Sequence, residues 1–303
     1  MIKSILIVSF YILIITTIHG QNYIEYYNLC NEGDKQIYLE NYQEALAKYE
    51  EAFSLVDYVH AKQYKSASIC TAKLIDYGKT SQYAAKAILN GFPDEFLKDK
   101  IFKDFRKSKY YRVLRDSLPS LKNLHQKSVN LSYQKEVDSL YYIDQRIVLG
   151  NKHVKGNFNI DQSALPIKNA EIDSLIFKHL LELIDKYGFP SEKTIGYEGY
   201  ANVWVLFLHN VRLPQNEKYI TLLEEALING EYQPSNYAWM YDQSMMRKDQ
   251  EPMFYYGMPT TYDFSDSEKQ KIDEIRRQYG IKPIESIKIE TFKNGDIRHT
   301  PLW

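Results

Sequence analysis

Apolar residues recur at helical spacing along most of the chain, so the fold is expected to be mainly α-helical. The clearest case is residues 41–57. Asn41 is a good N-cap residue, and Tyr42, Ala45, Tyr49, Ala52 and Phe53 share one helical face. A partner helix is expected at 22–38, and a weaker pair at 62–77 and 80–90. Residues 118–148 read as a long amphipathic helix with a break near Asn130, and residues 150–165 as a loop. Ile172, Leu175, Ile176, Leu180, Leu183 and Ile184 mark one face of a helix at 169–187, which Gly188 and Pro190 stop. Residues 200–211 are apolar all round, as expected of a central helix. Further helices are expected at 215–229, 235–247 and 265–279. Ile287, Ile289 and Thr291 alternate before Asn294-Gly295, which is a hairpin signal.

Gly33 precedes Ala45 by twelve positions, and Tyr42, Tyr49 and Ala52 follow the same spacing. This resembles a tetratricopeptide repeat, in which a small residue in the first helix lets the second approach closely. The usual terminal Pro is absent; Asp57 stands near that place. Such a resemblance implies a peptide-binding face, here around Tyr42 and Tyr49. Two repeats are fewer than an array needs to stand alone, so this half is expected to lean on the C-terminal part of the chain. The expected organisation is a leader at 1–20, a tetratricopeptide-like module at 21–116, a connecting helix and loop at 117–168, and a helical domain with a C-terminal β-hairpin at 169–303.

A second resemblance rests on Gly188-Phe189-Pro190, Ile195-Gly196-Tyr197-Glu198-Gly199, Trp204 and His209, then Ala238–Asp242 and Tyr256-Gly257. Residues 140–284 resemble an uncharacterised bacterial domain family of unknown function. Its pattern runs Gly-Trp-Pro, Val-Gly-x-Glu-Gly, Ala-Ala-Trp-Leu, Gln-His, Tyr-Leu-Thr-Asp-Arg and Tyr-Gly-Thr-Gln. The resemblance implies candidate binding residues at Asp144, Arg146, Trp204 and Tyr256. This chain departs from the pattern at Leu208, Gln243 and Met258-Pro259.

Composition narrows the class. The chain has 303 residues, room for two ordinary domains, with 44% hydrophobic and 25% charged residues. A net charge of -1 gives no long-range pull toward nucleic acid or anionic lipid. Short basic runs such as Arg106-Lys107-Ser108-Lys109 read as solvated helix faces. Lys3 followed by the apolar run from Ile5 to Ile18 reads as a secretory signal peptide, with an uncleaved N-terminal anchor as the alternative. A secreted or periplasmic protein is therefore expected. In an oxidising space Cys30 and Cys70 could pair, which would contribute about 3–4 kcal/mol, or they could remain buried thiols.

Candidate chemistry is sparse. Glu198 lies between two glycines at the mouth of the central helix, His209 lies near that helix's end, and Asp242 lies on a neighbouring helix. They suggest either a hydrolytic or small-molecule site with His209 as base, or a buried polar network with Glu198 capping its helix. The sequence has no HExxH, GxSxG or phosphate-binding GxxxxGK motif. His179-x-x-Glu182 lacks the second set that a di-metal site needs. No cofactor is implied. The leading expectation is a non-catalytic interaction module, with a protein or peptide of the cell envelope as partner and no nucleic acid.

Overall fold

A computed structural model of the chain describes residues 21–149, 169–210, 217–246, 248–256, 264–291 and 297–301. The architecture is mainly α. The first four helices are α1 (Tyr23–Tyr38), α2 (Tyr42–Phe53), α3 (Ala61–Lys73) and α4 (Tyr77–Leu89). They form two hairpins that repeat at an offset of 35 residues. Leu39-Glu40-Asn41 and Leu74-Ile75-Asp76 make the same turn, with Glu40 at φ 60° and Ile75 at φ 61°. The Asn41 N–H donates to the Gln36 carbonyl at 2.8 Å and the Asp76 N–H to the Thr71 carbonyl at 2.9 Å. The small positions also coincide. Gly33, which faces the Tyr49 ring, matches Ser68, while Ala45 matches Thr80 and Ala52 matches Ala87; all are buried. Small residues there let the paired helices approach closely.

Three short 3-10 turns (Asp94–Lys98, Lys100–Phe102 and Phe105–Lys107) lead into α5 (Lys109–Ser128). Ser108 caps α5 by accepting the Tyr111 N–H. Leu97, Phe102, Phe105 and Leu114 build a small second core with Ala72, Ala84 and Ile88. α5 packs along α4, so it runs straight through position 117, where the sequence suggested a module boundary.

The expected long helix is two helices, because α5 ends at Ser128 and α6 (Leu131–Leu149) starts afresh. Asn130 accepts the Tyr133 N–H at that start. Then come α7 (Asn169–Tyr187), α8 (Glu192–Asn210), α9 (Glu217–Ile228), α10 (Pro234–Met246) and α11 (Asp266–Gln278). A Ser265–Glu268 capping box opens α11. The apolar segment expected to be central is the larger part of α8, which buries Val203, Leu206 and Phe207. Strands β1 (Ile287–Thr291) and β2 (Ile297–Pro301) pair antiparallel, with Ile289 opposite His299. The turn expected at Asn294-Gly295 and the leader expected at 1–20 lie outside the described residues. Among the described residues no helix is long and apolar enough to cross a membrane.

One core joins the first hairpin to the later helices: Tyr26, Tyr27 and Tyr49 belong to the same cluster as Leu180, Val203 and Tyr232. The face of α1 away from α2 is covered from the C-terminal side. Asn28 donates to the Arg277 carbonyl at 2.9 Å, and Asn31 to the Gly280 carbonyl at 2.9 Å. Lys282 pairs with Asp34 at 2.6 Å. The hairpins thus lean on the C-terminal helices, and the cleft left between α1 and α11, about 590 Å³, is lined by polar side chains such as Asn28, Asn31, Glu32, Asp273 and Arg277.

Candidate functional site

Glu198 and Asp242 stand in different surroundings and share no site. Asp242 is fully buried on α10, and its carboxylate staples the Met253–Tyr256 segment. Oδ1 accepts the Met253 and Phe254 N–H groups, both at 2.9 Å, and Oδ2 accepts the Tyr256 N–H at 2.7 Å. Arg276, also buried, grips the same segment from α11. It donates to the carbonyls of Phe254 at 2.8 Å and Tyr255 at 3.0 Å, and to that of Lys282 at 3.1 Å. Burial pushes the Asp242 carboxyl up to about 6, against the opposing pull of those N–H groups and of Arg276. Every one of these bonds ties chain to chain, so Asp242 acts as a structural staple. The side chain of His209 lies outside the described residues.

Glu198 is exposed and lines a different cleft, about 350 Å³ in volume. The cleft is walled by the end of α4, the Phe92–Glu95 turn, the end of α5, the start of α6 and the kink of α8. The kink is Gly196, at φ 81° and ψ 164°, inside an otherwise helical run. It has a local cause. The imidazole of His125 fills the space beside it: a Cβ on Gly196 would stand 3.0 Å from the ring, and one on Gly91 (φ 92°) 2.6 Å. Two glycines in left-handed conformations therefore clamp one histidine. His125 Nδ1 faces the Leu89 carbonyl at 3.1 Å, so the neutral ring donates there and leaves Nε2 as the acceptor. Gly199 has another reason: its missing Cβ lets α8 lie against Gln134 of α6. The Gly-x-Glu-Gly motif thus shapes a cleft around His125, a residue that no local pattern marks.

A second constellation is sealed. His60, Glu192 and Tyr27 line up as imidazole, carboxylate and hydroxyl, all buried. His60 Nε2 lies 2.9 Å from the Tyr27 hydroxyl, and Nδ1 lies 3.4 Å from Glu192 Oε2 without hydrogen-bond alignment. Glu192 accepts the Ala61 N–H at 2.7 Å, capping α3 from a distant helix. Its job is to fasten α8 to the hairpins.

The remaining candidates are architectural. Tyr49 is fully buried, and its hydroxyl donates to Asp34. This corrects the expectation of a ligand-facing Tyr49: the ring is consumed by packing on Gly33. Tyr42 is half-buried under the Lys73 ammonium, 5.3 Å from its ring centre. Trp204 packs edge-on against Trp239 at 6.1 Å, and its buried indole N–H has no partner. The Tyr256 ring lies 5.5 Å from the Arg276 guanidinium. Asp144 is buried and accepts from Gln145 at 2.9 Å, while the Arg146 side chain lies outside the described residues. Cys30 and Cys70 are free, buried thiols, so the pairing considered for them is not made. His179 is exposed beside Glu182 at 3.3 Å. Among the described residues no group of three or more His, Cys, Asp or Glu side chains could hold a metal ion.

No protein-family model, curated protein or solved structure matches the chain.

Proposed function

We propose that this is a non-catalytic interaction protein working outside the cytoplasm, and that it meets its partner through the outer end of the hairpin module. One observation carries this reading. Residues 98–127 hold ten Lys or Arg against three Asp, in a chain whose net charge is -1. All ten except Arg106 are exposed. The 3-10 turns and α5 that carry them wrap around the same small core, so they share one end of the module. Internal pairing is partial: Lys107 with Asp104, Arg115 with Asp116 and Lys122 with Asp94. Such a concentration of unpaired charge favours a partner of opposite sign.

The 35-residue offset of the hairpins supports a tetratricopeptide-like origin for the module, and the apolar run from Ile5 to Ile18 supports export. Tyr49, buried against Gly33, moves the binding surface away from the face expected around Tyr42 and Tyr49. Fractionation of native envelopes tests the reading. The protein should sediment with an envelope component at low salt and be released near 1 M salt, where screening acts within about 3 Å. The variant Lys98→Gln/Lys100→Gln/Lys103→Gln should sediment less. Equal sedimentation of variant and wild type would reject the reading.

A second reading rests on the clamped imidazole. A small polar ligand in the 350 Å³ cleft would meet His125 Nε2 and Glu198. A ligand seated there should raise the melting temperature of the wild type and leave His125→Ala unmoved. A hit that shifts both equally would reject this site.

A further inference from the structure

We infer that the partner of the basic end is an anionic lipid surface, a step that rests on the interaction reading just given. α5 carries a ribbon made of Lys109, Val113, Ser117, Ser120, Leu124 and Lys127. Spacings of three and four residues put these six on one line of the helix, over about 27 Å at 1.5 Å per residue. All but half-buried Ser117 are exposed, Val113 at 70% and Leu124 at 51%. The ribbon thus carries Val113 and Leu124 on either side of two serines, with an ammonium at each end. Tyr110 stands beside it, 41% exposed, with the Lys109 ammonium 5.2 Å from its ring centre. Lys98, Lys100, Lys103 and Arg112 add cations without an ion-pair partner among the described residues.

Charge alone would suit any polyanion. The aliphatic residues favour lipid. Exposed Val and Leu between lysines match the interfacial pattern in which apolar side chains enter the acyl boundary while cations hold the headgroups. A bilayer takes up such side chains wherever they stand, whereas a folded acidic protein would have to supply a pocket for each. The charge sign selects anionic headgroups over zwitterionic ones.

The test is co-sedimentation of the full chain with vesicles of phosphatidylcholine alone or with about one-third phosphatidylglycerol. Wild type should bind the anionic vesicles more tightly than the neutral ones, and salt should remove that difference. Lys109→Gln/Lys127→Gln should bind about thirty-fold more weakly, at about a tenfold loss for 1.4 kcal/mol and about 1 kcal/mol for each charge. Val113→Ser/Leu124→Ser should lose at least about ten-fold. All variants keep the apolar N-terminal run, so the differences report on α5. The positions are exposed, and unchanged melting would confirm that each variant folds; Lys98→Gln/Lys100→Gln serves if one does not. Binding to polyglutamate but not to anionic vesicles, weakened by the same lysine changes, would overturn the lipid inference and leave the interaction surface standing. Binding that none of the variants alters would overturn both.

Discussion

Replacing Asp242 by Asn gives the sharpest check on the reading of that residue as a staple. The side chain keeps its shape, and its oxygen can still accept the Met253 and Phe254 N–H groups. Its new NH2 meets the Tyr256 N–H, donor against donor. That mismatch costs about 1–3 kcal/mol. The change also removes a titration. Burial, the largest influence on the carboxyl, raises it from 3.8 to about 6. At about 1.4 kcal/mol per tenfold change in acidity, folding then favours the protonated acid over the ionised one by about 3 kcal/mol. The sign comes from proton counting. Between pH 4 and 6 the unfolded chain releases this proton while the folded chain keeps it. The contribution is therefore fully present below about pH 4 and is lost as pH rises through about 6. Asn cannot titrate, so the stability of wild type minus that of Asp242→Asn should fall by about 3 kcal/mol from pH 4 to pH 7. Urea unfolding at a series of pH values, followed by far-ultraviolet circular dichroism, measures it. A flat difference would refute the argument. A difference that grows with pH would show that Arg276 and the N–H groups outweigh burial.

Three other outcomes stem from the packing. Gly230 sits at φ 73°, and a Cβ there would lie 2.3 Å from the Tyr23 ring, so Gly230→Ala should destabilise by more than about 2 kcal/mol in the same urea assay. Cys30 and Cys70 should resist a thiol reagent in the folded protein and both react after unfolding, because burial raises both thiols, Cys70 to about 12. Reductant should leave the melting temperature unchanged, since the two cysteines are unbonded. A thiol titration before and after urea, and a melt with and without reductant, check these points.

The helices were legible where a single face repeats. Tyr42, Ala45, Tyr49 and Ala52 gave α2, and the apolar run around Val203 and Phe207 gave most of α8, because those patterns are local. The partners that those faces pack against were not legible. Tyr49 looked available for a ligand on its helix, yet Gly33 and Asp34, at least fifteen residues earlier, bury it. Asp242 looked like chemistry until the Met253–Tyr256 backbone and Arg276 closed over it. His125 gave no signal at all. Its place depends on Leu89 and on Gly91 and Gly196, residues scattered over more than a hundred positions. The basic end was written in the sequence as short separate runs. Only the turns around Phe102 and Phe105 bring them together.

The most direct measurement uses the two buried thiols to advantage. A Ser120→Cys change puts one reactive thiol in the middle of the α5 ribbon, ready for an environment-sensitive fluorophore. Gln43→Cys does the same on an exposed position of α2, beside Tyr42. With anionic vesicles, the label at 120 should brighten and shift to shorter wavelength while the label at 43 stays unchanged. A response at 43 without one at 120, or no response at either, would contradict the proposal that the basic ribbon of α5 meets an anionic lipid surface.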